Sequence, residues 1–190
     1  MNIFRIIITL IVLVQFYCTA QQQYLVIEQY NQNQCGGDII TTIFYQTGVC
    51  YNGLYVTCSN KSQTATISTY LYVDCSSTPD NVANFNVGSC NGYDSYSCQA
   101  EVNFNQNAII HTEYFNSSCD GTPYFAQTLS TGVCSSGVIT LCDDKTIVTT
   151  TYDYLECTGQ SSSQYSTLDT QCEFNNRFGA KAVCAVENSY

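Results

Sequence analysis

The chain has 190 residues, with fifteen acidic side chains against five basic ones and a formal net charge of −10. That balance excludes nucleic acid and anionic membrane surfaces as partners, because both are bound through basic patches that release counterions. Leu, Ile, Val and Phe supply only about a fifth of residues 21–190, a level at which disorder becomes a concern. Fifteen tyrosines in the same stretch add apolar area with a polar tip and partly make up the deficit.

The first twenty residues read as a secretory signal. Arg5 is the positive n-region, Ile6 to Val14 is the apolar run, and Cys18-Thr19-Ala20 places small residues before a cleavage at Gln21. The apolar run is roughly half of the ~20 residues that a membrane span needs, and Gln15 ends it. The ending Glu187-Asn188-Ser189-Tyr190 has neither the apolar tail of a lipid-anchor signal nor an ER-retention motif. A secreted product is therefore expected, with no membrane insertion after signal removal.

Residues 21–190 keep twelve cysteines of the thirteen, and four basic residues (Lys61, Lys145, Arg177 and Lys181) against the fifteen acids. A dense, even set of cysteines behind a signal implies a disulfide framework. Zinc sites usually show paired C-x-x-C spacings, and the closest spacing here is eight residues.

The cysteines fall into four triplets, 35-50-58, 75-90-98, 119-134-142 and 157-172-184. The first interval is always fifteen residues; the second is eight in three triplets and twelve in the last. A tyrosine stands five before each first cysteine (Tyr30, Tyr70, Tyr114 and Tyr152), and Gly48, Gly88 and Gly132 stand two before the second. The fourth copy has Thr170 there. Beyond the signal at 1–20, the chain reads as one domain over 21–190 with repeats at about 24–62, 63–106, 107–145 and 146–190.

Residues 65–73 and 146–154 are β-branched and aromatic in near-alternation, and turn chemistry separates such runs at Ser77-Thr78-Pro79-Asp80, Asp120-Gly121-Thr122-Pro123 and Asn91-Gly92. Three strands per unit, a, b and c, give an expected antiparallel all-β fold of about twelve short strands, a sandwich or barrel. A four-bladed propeller is the alternative. If a, b and c form an unbroken meander, first and third cysteines meet at one end of each unit. That predicts Cys35–Cys58, Cys75–Cys98, Cys119–Cys142 and Cys157–Cys184. The leftover second cysteines of alternate units then pair as Cys50–Cys134 and Cys90–Cys172.

No residue pattern announces catalysis, a cofactor or a metal. His111, the one histidine, lies eight before its first cysteine, where the other units place Ile27, Ile67 and Thr149; that is a packing position rather than a base. Asp143-Asp144 is followed at once by Lys145, which suits a solvated turn better than a calcium loop. The recurring tyrosines read as a reused core plug, with sugar stacking as the rival. Asn60-Lys61-Ser62 and Asn116-Ser117-Ser118 match the glycosylation sequon.

The run Cys119-Asp120-Gly121-Thr122-Pro123, Ser130-Thr131-Gly132-Val133-Cys134, Gly137 and Leu141-Cys142 resembles secreted cysteine-repeat proteins of social amoebae, the group that includes the counting-factor-associated proteins. The resemblance implies a soluble extracellular glycoprotein that associates with other secreted proteins, some of which influence cell-group behaviour. It carries over no catalytic residue. The expectation is thus a non-enzymatic secreted protein acting through extracellular protein partners. A repeated-site carbohydrate-binding protein that takes glycans is the first alternative, and a small secreted hydrolase or hydrolase inhibitor the second.

Overall fold

The structure is a computed structural model that describes residues 23–174 and 178–185. The signal segment and the cleavage point at Gln21 lie outside the described residues. The fold is all-β and antiparallel. Unit one supplies β1 (Tyr24–Gln32), β2 (Gly36–Gln46), β3 (Cys50–Tyr51) and β4 (Leu54–Ser59), with a three-residue 3-10 turn at Asn33–Cys35. Unit two supplies β5 (Thr64–Thr69), β6 (Asn81–Asn86), β7 (Cys90–Asn91) and β8 (Asp94–Gln99). Unit three supplies β9 (Ala108–Tyr114), β10 (Phe125–Ser130), β11 (Cys134–Ser135) and β12 (Val138–Asp143). Unit four supplies β13 (Thr146–Tyr152), β14 (Ser161–Thr167), β15 (Glu173–Phe174) and β16 (Gly179–Ala185).

The described residues thus form sixteen strands rather than the expected twelve. The extra one in each unit is a two-residue strand that starts at the second cysteine, or one residue after it in unit four, and is too short to leave an alternation in the sequence. An eight-stranded sheet runs β15-β16-β9-β10-β2-β1-β8-β7, and two four-stranded sheets run β3-β4-β5-β6 and β11-β12-β13-β14. All three sheets are open, so the described residues form no closed barrel. Nor are there propeller blades, because each unit divides its four strands between two sheets.

The chain changes sheets just before each second cysteine. At residues 47–49 the backbone turns through Gly48, at φ +76°, and its N–H donates to Val56 O at 2.9 Å. Gly88 (φ +79°) and Gly132 (φ +77°) do the same toward Tyr96 and Thr140, both at 2.8 Å. A left-handed φ there favours glycine. The crossover it produces is what breaks the meander assumed from the sequence.

All six expected disulfides are consequently wrong. The bonds are Cys35–Cys90, Cys50–Cys75, Cys58–Cys98, Cys119–Cys172, Cys134–Cys157 and Cys142–Cys184. Their Cα separations of 5.7 to 6.0 Å suit bridged cysteines. None closes within a unit. Within each pair of neighbouring units, first joins second, second joins first, and third joins third. That is the pattern of a two-fold exchange. Swapping units one and two turns the order β2-β1-β8-β7 into β6-β5-β4-β3, which is the other sheet. The backbone explains the pairing: Tyr70 N–H donates to Gly53 O at 2.7 Å and Gly53 N–H to Val73 O at 3.1 Å, laying the loop before Cys75 over the β3–β4 turn beside Cys50. Tyr152, Gly137 and Leu155 repeat this beside Cys134, with both bonds at 2.8 Å.

The paired units make two halves, β1–β8 and β9–β16. In the first, Leu25, Val56, Ala65 and Tyr96 form a core between the two sheets, with Phe85 stacked on Tyr96 at 4.3 Å between ring centroids. The opposite face of β1 packs Tyr24 and Val26 with Phe44 of β2 and Ala126 of β10. The halves meet along β2 and β10, where Ile43 lies opposite Gln127. Cys35, Cys50 and Cys58 each recur 84 residues later, so Ile43 and Gln127 are equivalent positions. The joint is a second approximate two-fold axis.

Candidate functional site

A polar constellation that draws on both halves lies where they meet. Glu113, on β9, receives Tyr124 OH at 2.5 Å on Oε2, and Tyr51 OH and His111 Nε2 on Oε1, both at 3.2 Å. Tyr51 comes from the first half, one residue past Cys50 on β3, and Tyr124 from the segment before β10. Their rings sit among Phe115, Phe125 and Phe178; Tyr51 stacks on Phe125 at 5.6 Å and Phe115 on Tyr124 at 4.2 Å.

Burial alone raises the Glu113 carboxyl pKa, but the donors from His111, Tyr124 and Tyr51 outweigh it and hold the group below its ordinary value. Burial, reinforced by the Glu113 charge, pushes the Tyr51 phenol up to about 12 and the Tyr124 phenol higher still. A carboxylate held ionised by three donors is poorly suited to act as a general acid, and its lone pairs are largely occupied. Chemically this arrangement is a clasp between the halves.

His111 was expected at a packing position. Its side chain is 40 % exposed, and it is held in β9 opposite Gln127 and Ala182. It lines a small cavity of about 130 Å³ with Asp169, Glu173 and Lys181, well below the ~300 Å³ at which small-molecule sites begin. A larger, open groove of about 470 Å³ lies beside Tyr24, Glu101, Phe104 and Thr122, with one carboxylate on its wall. No cluster of three or more metal-ligating side chains occurs among the described residues.

The remaining sequence candidates stay apart. Asp143 ends β12 and Asp144 follows it in the turn to β13, both exposed, with Asp144 at φ +50°. Asn60 and Asn116 are both exposed; Asn116 accepts the backbone N–H groups of Ser118 and Asp120, each at 3.2 Å. Of the repeated tyrosines, Tyr114 is buried while Tyr30, Tyr70 and Tyr152 are half-buried. Lys181 Nζ lies 5.3 Å from the centre of the Tyr114 ring.

A different set of residues does reach solvent. Leu71, Tyr72 and Val73, just before Cys75, are 72, 56 and 51 % exposed; Tyr154 and Leu155, just before Cys157, are 61 and 70 % exposed. Lining up the units shows the signal: where unit two has Leu-Tyr-Val, unit one has Asn31-Gln32-Asn33. Unit two thus carries large apolar side chains in an exposed turn where its sister copy is polar. No protein-family model, curated protein or solved structure matches the chain.

Proposed function

We propose that the chain is a secreted, non-enzymatic glycoprotein that works outside the cell by associating with other proteins. Six disulfides suit an oxidising, extracellular or luminal setting. The observation that carries the reading is the pair of exposed apolar loops at Leu71-Tyr72-Val73 and Tyr154-Leu155. Each is pinned by backbone hydrogen bonds and an adjacent disulfide, so little ordering entropy remains to be lost on binding.

The test is recovery of partners from growth medium by the tagged protein, compared with a variant carrying serine at those five positions. A loss of tenfold or more in co-recovered protein is expected, whereas equal recovery by both would overturn the assignment of the loops. His111→Val should leave association intact. A hydrolytic activity abolished by that change in a folded protein would instead establish the enzyme alternative.

A further inference from the structure

We infer that the partner class includes the chain itself: copies join head to tail through the edge strands β6 and β14, repeating the joint that links the two halves. This rests on reading the chain as an extracellular association protein.

Each unit has one b strand: β2, β6, β10 and β14. The b strands of units one and three meet inside the molecule, with Ile43 opposite Gln127. Those of units two and four end their sheets, and no described strand covers their outer edges. Sheet edges present a row of unpaired backbone groups, and proteins that stay monomeric usually protect them with charge, proline or a bulge. Here β6 reads Asn-Val-Ala-Asn-Phe-Asn and β14 Ser-Ser-Ser-Gln-Tyr-Ser-Thr, without a charge or a proline in a strongly acidic chain.

The inner joint supplies the register. After each b strand one rung closes onto the unit's a strand: Thr47 N–H to Gln23 O, Val87 to Gln63, Thr131 to Asn107 and Leu168 to Lys145, at 2.7 to 2.9 Å. Counting back four from each aligns Ile43, Ala83, Gln127 and Gln164. Rungs alternate in an antiparallel ladder, so Val82 and Asn84 of β6, and Ser163 and Tyr165 of β14, point their backbone groups outward. Placing Ala83 opposite Gln164, as Ile43 lies opposite Gln127, sets Val82 of one copy against Tyr165 of the next. These side chains are 48 and 74 % exposed in the single chain. Pairing like with like would instead oppose Val82 to Asn84 and Tyr165 to Ser163, leaving the apolar groups unmatched.

The loops agree. At the inner joint Asn31, four before its first cysteine, donates to Cys134 O at 3.3 Å on the other half. The corresponding residue of unit two is Leu71, which the same geometry brings to the hairpin of Cys172, where Phe174 is 51 % exposed. Such a contact is heterologous and need not close.

Sedimentation of the oxidised, secreted protein over a range of concentrations tests this. The mass should climb past the dimer as concentration rises. Val82→Pro and Tyr165→Pro each remove an outward N–H from one edge, and each variant alone should be a monomer. Mixed, they retain one β6 and one β14 edge between them and should give a dimer, a twofold mass. Val82→Lys with Tyr165→Lys is the gentler block should either proline disturb folding. A wild-type protein that stays monomeric throughout, or a proline variant that dimerises alone, would overturn the inference. A monomer that still recovers other proteins from medium would do so while leaving the proposed function standing.

Discussion

Glu113 is where single residues matter most, because its carboxylate ties β9 to a tyrosine from each half. Its pKa in the fold lies below the ordinary value of 4.5. The stabilisation is therefore complete above that value and is lost as pH falls beneath it. Tyr51 sets the other limit: its phenol, raised to about 12, favours folding below the ordinary value of 10.0, a contribution lost as pH rises toward 12. Glu113→Gln should cost about 2 kcal/mol at pH 7, in the range for hydrogen bonds to a charged group. In chemical denaturation the difference from wild type should shrink on acidification below pH 4.5. A constant difference from pH 7 to pH 3 would show that the charge is not what the tyrosines and His111 hold. None of this was legible in the sequence, since Tyr51, Glu113 and Tyr124 come from three elements that only the tertiary fold brings together.

At the scale of elements, the repeat was legible and its wiring was not. Fixed cysteine intervals, β-branched runs and turn residues locate the a, b and c strands. A two-residue strand such as Cys50–Tyr51 has no periodicity to read, and Gly48 signals a turn without saying that the chain leaves its sheet there. Every disulfide assignment failed on that one step. The apolar loop was legible in principle, because Leu71 aligns with Asn31, but it emerges only when units are compared for their differences. The short hairpins have a measurable signature. Gly53 has φ +78°, and an added Cβ would lie 2.8 Å from Tyr70 O; Gly92 has φ +68° with nothing within 4 Å. Gly92→Ala should cost about 1 kcal/mol for its left-handed backbone. Gly53→Ala carries the same backbone penalty and must also push the loop before Cys75 away, so its cost in thermal or urea unfolding should be at least double. Equal costs would mean that the loop does not rest on that turn.

At the scale of the whole molecule, the disulfides divide the chain into two covalently independent halves. Three bonds fall within residues 35–98 and three within residues 119–184, and none crosses between them. Each closes a loop of 23 to 55 residues, for which chain entropy gives roughly 3–4 kcal/mol apiece before nesting reduces the sum. The joint between halves depends instead on the β2–β10 ladder, the packing of Phe44 against Ala126, and the Glu113 clasp. The segment from Glu101 to Gln106 runs exposed between the halves, apart from half-buried Val102. A protease site introduced at Asn103-Phe104-Asn105 should be cut without loss of the folded particle. In native buffer the nicked protein should migrate as one species, because hydrogen bonds and apolar contacts hold the joint. In denaturant without reductant it should separate into two fragments, each keeping its three disulfides by mass. The pairing expected from an unbroken meander, with Cys50–Cys134 and Cys90–Cys172, would keep the fragments joined until a reductant was added. A single band under denaturing, non-reducing conditions would refute the division into halves, and with it the internal joint that serves as the template for assembly.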